Sequence, residues 1–133
     1  MLILVRPHTS LLDGPKVALQ LRSMGIRGAV FPVDPDYARH PIYGCLLKAY
    51  GRLMGGQEMR AMDASKPFAL RELARLLKAG RTVVIFPQGT GLADPHRPDQ
   101  PGTAWLMRTT GASVVDWDLS THTTRYRKGA TNG

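Results

Sequence analysis

Short apolar runs alternate along this chain with segments in which apolar residues recur every three or four positions. The runs are typical of buried strands, and the wider spacing is typical of helices that bury one face. The clearest unit is an amphipathic segment over 66–79, followed directly by a β-branched apolar run over 82–86. This alternation predicts an α/β domain with a layered, mostly parallel sheet flanked by helices.

Further elements are predicted on both sides of this unit. Strands are expected over 2–5, 28–33, 57–62 and 112–119, and helices over 13–24, 41–53 and 103–109. We expect Pro32 and the turn at 34–35 to end the second strand. From Thr121 onward the chain is basic and polar. The pattern therefore predicts one domain over 1–120 and a basic flexible tail over 121–133.

Composition excludes several classes of protein. A chain of 133 residues with 43% hydrophobic and 21% charged residues matches one globular domain rather than a disordered one. The single cysteine, Cys45, excludes an internal disulfide framework and a cysteine-rich zinc site, and we expect it to be buried. No apolar run reaches the roughly 18–20 residues of a membrane span, and no signal peptide is evident. We therefore expect a cytoplasmic protein, soluble or peripheral to a membrane.

The net charge indicates the kind of partner. Lys and Arg number 18 and Asp and Glu number 10, so the formal charge is +8. Such a charge favours nucleic acid, an anionic membrane surface, or phosphorylated and carrier-bound substrates. Nucleic acid is the least favoured, because only 7% of residues are aromatic and they do not alternate with basic residues. Arg71, Arg75 and Lys78 form a basic stripe on the predicted helix over 66–79, facing either anionic lipid or solvent.

The segment after the first predicted strand contains a histidine and an aspartate five positions apart, His8 and Asp13. On a straight helix this spacing separates the side chains by about 140°. In a loop between strand and helix, Asp13 can instead accept a hydrogen bond from Nδ1 of His8, which leaves Nε2 as a general base. A substrate hydroxyl would then serve as the nucleophile. The spacing alone fits equally a loop histidine and an aspartate that caps a helix.

A glycine-containing loop follows the strand predicted over 82–86. Its sequence is Phe86-Pro87-Gln88-Gly89-Thr90-Gly91. Glycines at the carboxyl end of a strand let backbone N–H groups point at a ligand, and such loops bind anions or oxyanions. In open α/β sheets, ligands bind at this edge. The segment is not a P-loop, because no Gly-Lys-Ser/Thr follows. An ordinary glycine turn is the alternative.

The combination of these two segments resembles a known family. His8-x-Ser10-x-x-Asp13, an HX4D motif, followed later by Phe-Pro-x-Gly-Thr over 86–90, resembles the glycerophospholipid acyltransferase family, also called the lysophosphatidic acid acyltransferase family. The stretches 10–14, 62–67, 81–87 and 110–115 look most like the acyltransferase domain of bacterial bifunctional lysophospholipid acyltransferase/acyl-carrier-protein synthetases. The resemblance extends from about Leu4 to Leu119.

The resemblance implies an enzyme of phospholipid biosynthesis. It would move a fatty acyl group from a thioester, on acyl carrier protein or coenzyme A, to the hydroxyl of a lysophospholipid or glycerophosphate, at the inner face of a membrane. No resident cofactor or metal is implied, since the acyl thioester is a substrate. The resemblance implies that His8 is the general base and that Asp13 orients it. The residues that we expect to bind substrate are Ser10, Arg60, Lys66, Phe86, Pro87, Gln88, Gly89 and Thr90.

The chain departs from the family pattern at several positions. Where the family has Asn, Arg, Glu, Arg and Pro, this chain has Pro7, Ala64, Gln88, Gly91 and Asp116. Losing the arginines removes bidentate phosphate contacts, for which Arg60 and Lys66 are the nearby substitutes. Members also carry helices before the first motif, so the resemblance implies a domain shortened at its N-terminus. The alternatives are a catalytically degenerate lipid- or carrier-binding remnant, a basic polyanion-binding module, and a thioesterase that uses water as acceptor.

Overall fold

The structure is a computed structural model that describes residues 1–6, 13–33, 42, 45, 49–50, 53, 56–62, 66–87, 99–121 and 123–127, with only the backbone at 13–15, 33 and 61. The strands of this part are β1 (Leu2–Arg6), β2 (Val30–Val33), β3 (Glu58–Ala61), β4 (Val83–Ile85), β5 (Val114–Asp118) and β6 (Thr123–Arg127). Its helices of ten or more residues are α1 (Asp13–Ser23), α2 (Pro67–Lys78) and α3 (Pro101–Thr110).

The strands form one sheet in the order β3-β2-β4-β1-β5-β6. The first five strands in this order are parallel, and β6 pairs antiparallel with β5. Strand β1 lies between β4 and β5, with Leu4 opposite both Ile85 and Asp116. The fold is therefore α/β with a mostly parallel sheet, as the alternation of patterns predicts.

Helices cover both faces of the sheet, which explains why the central strands are apolar on both sides. On one face, α2 and α3 pack over a core that includes Leu2, Leu4, Val30, Leu73, Leu77, Val83, Ile85, Leu106 and Val114. On the other face, α1 packs over a core that includes Ile3, Val5, Val17, Leu21, Phe31, Val84 and Trp117. Crossover connections between parallel strands are right-handed. Because the connection that holds α1 crosses the sheet in the opposite direction to the one that holds α3, the two helices lie on opposite faces.

Helices α2 and α3 pack closely near their first turns. A Cβ atom at Gly102 would lie 2.8 Å from Cδ1 of Leu70, so glycine permits this approach. Helix α2 confirms the predicted amphipathic segment: Leu73, Leu76 and Leu77 are buried against the sheet. Both helices begin at the edge where the parallel strands end, because each follows a parallel strand.

The second strand ends at Val33, as the sequence predicts, and it includes Pro32. The N–H of Val30 donates to the carbonyl of Thr82, on the β4 side. Two positions later, Pro32 faces the same neighbour without an N–H to donate. The strand tolerates this because its pairing with β4 is confined to Val30 and Val83.

Part of the expected flexible tail is a strand. Residues Thr123–Arg127 form β6, and Nε of Arg127 donates to Oδ2 of Asp116 at 2.6 Å. The sequence gives little sign of this strand, because all five of its residues are exposed and no apolar face marks it. Residues 128–133 lie outside the described part, as does most of the helix expected over 41–53. Cys45 is exposed, not buried as expected.

Candidate active site

The two candidate motif loops leave the sheet at neighbouring positions. Strands β1 and β4 are adjacent and parallel, but the chain from β1 leads to β2 on one side while the chain from β4 leads across β1 to β5. Such a switch point opens a crevice outside the carboxyl ends of the two strands, where ligands of open α/β sheets bind. His8 follows the last residue of β1 by two positions, and Gln88 follows that of β4 by three.

A network of four charged side chains, which we call the Arg6 cluster, lies at the end of β1. The guanidinium of Arg6 donates to both carboxylate oxygens of Asp99, with an Nε–Oδ1 distance of 2.8 Å. It also donates from Nη1 to Oδ1 of Asp116 at 3.0 Å. Asp116 in turn accepts from Arg127, the fourth member. The cluster contains two cations and two anions, so its formal charges cancel.

Backbone hydrogen bonds hold the chain beside this cluster. The N–H of Gln100 donates to the carbonyl of Pro87 at 2.6 Å, which joins the two ends of the chain segment between β4 and α3. The N–H of Leu119 donates to the carbonyl of Arg6 at 2.7 Å. The segment with Gln88, Gly89 and Thr90 therefore starts and returns beside the strand end that precedes His8.

The ion pairs stabilise the charged forms of Arg6 and Asp116. Hydrogen bonding to Asp99 raises the pKa of the Arg6 guanidinium more than its partial burial lowers it. Partial burial by itself raises the pKa of Asp116, but the hydrogen bonds and positive charges of Arg127 and Arg6 together outweigh it and hold the pKa below its ordinary value of 3.8. At neutral pH, Arg6 is therefore a cation whose charge is already compensated by two carboxylates.

The first turns of all three helices lie at the same edge of the sheet. Each of α1, α2 and α3 follows a parallel strand and leads back to another, so each begins near the carboxyl ends of the strands. The N-terminus of a helix carries partial positive charge, which stabilises anions. Asp13 is the first residue of α1, as its predicted role near the cap requires.

Some predicted site residues lie outside the described part of the chain. They are His8, Ser10, Gln88, Gly89 and Thr90, and the side chain of Asp13 belongs with them. The hydrogen bond between His8 and Asp13 therefore stays a prediction. Phe86 and Pro87 are described: Pro87 is buried, and Phe86 packs partly buried against the core under α1. They anchor the start of the glycine-containing loop to the sheet.

Arg60 does not lie at the switch point. It is on β3, at the far edge of the sheet, three strand spacings or roughly 14 Å from β1. Its guanidinium donates to Glu58 at 3.0 and 3.1 Å and to Glu72 of α2 at 3.0 Å. We call these three side chains the Arg60 cluster. A role for Arg60 in substrate binding stays a prediction, and its two carboxylate partners count against it.

Lys66 is better placed for an anionic substrate. It is exposed and directly precedes α2, on the edge where the parallel strands end. Its ammonium has no ion-pair partner among the residues that the structure describes. Sequence reasoning did not single out Arg6 or Asp99. The sequence does contain an indication for Arg6, because this charged residue lies between an apolar strand and the Pro7-His8 segment.

Within the described ranges, no helix has both the length and the apolar character needed to cross a bilayer. In the same ranges, no three His, Cys, Asp or Glu side chains come together in a group able to hold a metal ion.

Comparison with known proteins identifies one family. The sequence model of the family described as Acyltransferase matches residues 1–120. The match extends from β1 through β5, and so includes both motif loops and the strands that position them. No solved structure matches the chain with significance.

Proposed function

Because the chain belongs to the Acyltransferase family, we propose that it transfers a fatty acyl group from a thioester to a hydroxyl of a lysophospholipid or glycerophosphate. The donor would be acyl carrier protein or coenzyme A. Family membership establishes acyl transfer in general, and the donor and acceptor are our proposal. The observation that carries it is the switch point, from which the loops with His8 and with Gly89 both start.

In the proposed reaction, His8 acts as the general base. Its Nε2 takes the proton of the acceptor hydroxyl while the hydroxyl oxygen attacks the thioester carbonyl carbon. The tetrahedral intermediate then expels the thiolate, which receives the proton from the imidazolium, and the products are an ester and a free thiol. Asp13 would hold Nδ1–H of His8 and stabilise the imidazolium. The position of Asp13 as the first residue of α1 supports this role, because the N-terminus of a helix stabilises negative charge.

The loop after β4 would stabilise negative charge. Backbone N–H groups around Gln88, Gly89 and Thr90 are the proposed donors to the oxyanion or the acceptor phosphate, together with Ser10 of the first motif. Three helix N-termini at the same edge favour an anion there. Lys66 is the described cation that we propose for the phosphate. We do not propose Arg6 as a ligand of the phosphate, because its charge is compensated by Asp99 and Asp116.

The setting that we propose is the inner face of a membrane, with the protein bound peripherally in the cytoplasm. The charge of +8 supports attraction to anionic lipid. A lysophospholipid acceptor is itself a membrane component, so peripheral binding would bring the crevice to its substrate. No resident cofactor takes part, since the thioester donor supplies the activated acyl group.

The proposal is tested by acyl transfer assays on purified protein. Labelled acyl-coenzyme A or acyl carrier protein thioester is supplied with lysophospholipid in anionic vesicles or with soluble glycerophosphate. We expect esterified product from the wild type and a loss of about 10²–10⁴-fold in His8→Ala, the scale of general-base catalysis. His122→Ala, which also removes one imidazole but lies outside both motifs, should retain activity.

Other products would identify the alternatives. Free fatty acid in place of ester would show a thioesterase and contradict the choice of acceptor. Vesicle binding without either product would show a catalytically degenerate lipid-binding form. Steeply salt-dependent binding to nucleic acid, with no binding to vesicles, would support a polyanion-binding module instead.

A further inference from the structure

Helix α2 presents an exposed surface that the sheet and α3 leave uncovered. The exposed residues that define this surface, which we call the α2 face, are Lys66, Phe68, Arg71, Arg75 and Lys78. Phe68 is the most exposed of the large apolar side chains described, at 83%. From Phe68 to Lys78, their spacings of three and four residues keep the four helical members on one side of the helix. The surface combines four basic groups with one unburied aromatic ring.

The charge of the α2 face is barely compensated. Glu72 is the one acidic residue of α2, and its carboxylate accepts hydrogen bonds from Arg75 and Arg60. Lys66, Arg71 and Lys78 have no ion-pair partner within the described part of the chain. Three cations therefore remain available to an external anionic surface. An ionised surface of this kind attracts anionic lipid headgroups over about a Debye length.

The aromatic ring distinguishes a membrane from other anionic partners. Phe68 lies in the first turn of α2, between Lys66 and Arg71, and has little of its surface covered. At a bilayer surface the ring can enter the headgroup region while the flanking cations stay among the lipid phosphates. A rival surface exists on α1, with Lys16, Arg22 and Leu19. It has fewer cations, and Leu19 is only 53% exposed.

The position of the α2 face relates it to the candidate site. Helix α2 begins at the edge where the parallel strands end, so Lys66 and Phe68 lie on the same edge as the switch point. We propose that the α2 face docks on an anionic lipid bilayer, with Lys66 and Phe68 bringing its end nearest the switch point to the membrane surface. The docking itself needs no acyl transfer, but its use for lysophospholipid delivery rests on the proposed function.

Vesicle binding tests the docking surface directly. The full chain is sedimented with phosphatidylcholine vesicles, with and without phosphatidylglycerol, and no substrate is present. We expect binding only to vesicles with phosphatidylglycerol, and a loss of roughly tenfold or more in the double variant Arg71→Glu/Lys78→Glu. The matched control Lys16→Glu/Arg22→Glu changes the net charge equally on the opposite side of the sheet. It should bind within about threefold of the wild type.

A second pair of variants tests the aromatic ring. Phe68→Ser should weaken binding several-fold, and this loss should persist at high salt, where the cations are screened. Leu19→Ser removes an exposed apolar side chain from α1 and should have little effect. These positions are exposed, so unchanged thermal melting of all variants will show that folding is intact.

Several outcomes would overturn the proposal. Equal losses in the two charge-reversal variants would show that net charge alone drives binding. Unchanged binding in Arg71→Glu/Lys78→Glu would assign the contact to another surface. If Arg71→Glu/Lys78→Glu loses binding to purified acyl carrier protein but keeps its vesicle binding, the α2 face would instead be the docking surface for that acidic protein. Acyl transfer to soluble glycerophosphate is measured without vesicles. Transfer that persists when vesicle binding fails contradicts the docking proposal alone, whereas absence of transfer contradicts the proposed function.

Discussion

The Arg6 cluster and the Arg60 cluster have the same local chemistry in different regions of the sheet. In each, one partly buried guanidinium donates to two carboxylates on the face covered by α2 and α3. Arg6 ends β1, beside β4, and its partner Asp99 lies just before α3. Arg60 lies on β3, where the sheet ends.

This difference shows that a paired arginine takes its role from the position of its strand. At the switch point, the ion pairs of Arg6 connect the end of β1 to the chain that returns from the glycine-containing loop. At the edge, the ion pairs of Arg60 connect β3 to α2. We therefore expect Arg6 to affect catalysis through position, and Arg60 to affect mainly the attachment of α2.

The largest expected effect is on acyl transfer. Arg6→Gln should lower kcat by roughly 10- to 100-fold, because a shift of about 1 Å in a catalytic loop can cost 10²-fold. Arg60→Gln should stay within about threefold of the wild type, since it lies far from the switch point. Steady-state kinetics with varied acceptor will measure both. A tenfold rise in KM for a phosphorylated acceptor in Arg60→Gln would restore its predicted role in substrate binding and break the comparison.

A smaller effect is expected on stability. Asp116→Asn removes a carboxylate that joins Arg6 to Arg127, and should lower the free energy of unfolding by about 1–3 kcal/mol. Glu72→Gln removes the matching carboxylate from the Arg60 cluster at a more exposed site, where ion pairs contribute less. Urea unfolding of the two variants will compare them. A larger loss in Glu72→Gln would mean that the edge cluster is the more stabilising one.

The smallest effect is the dependence of that stability difference on pH. Because the pKa of Asp116 is lowered by folding, its contribution is complete above the ordinary value of 3.8 and is lost as the pH falls through the lower folded value. The difference in unfolding free energy between wild type and Asp116→Asn should therefore shrink below about pH 4. Urea unfolding repeated from pH 7 to about pH 3 will measure it. A constant difference over that range would show that the charge of Asp116 is unimportant.

Most elements were predictable from local pattern. The apolar runs gave β1 and β4, and the three-to-four spacing of leucines gave α2, because burial on two faces or one leaves a direct mark on the sequence. The motif loops were found as segments that follow strands. Strand β6 was missed because Thr-Thr-Arg-Tyr-Arg has no buried face. Its position depends on pairing with β5 and on the ion pair between Arg127 and Asp116.

Local pattern was thus enough for the α/β class, for the elements around the motifs and, through the motifs, for acyl transfer in general. Only the folded chain decided the strand order, and with it the nearness of Arg6 to the switch point and the distance of Arg60 from it. Arg6 and Asp99 are 93 positions apart, and nothing in either neighbourhood encodes their contact. Strand order depends on how all the apolar faces are buried together, so it belongs to the whole chain and to no single segment.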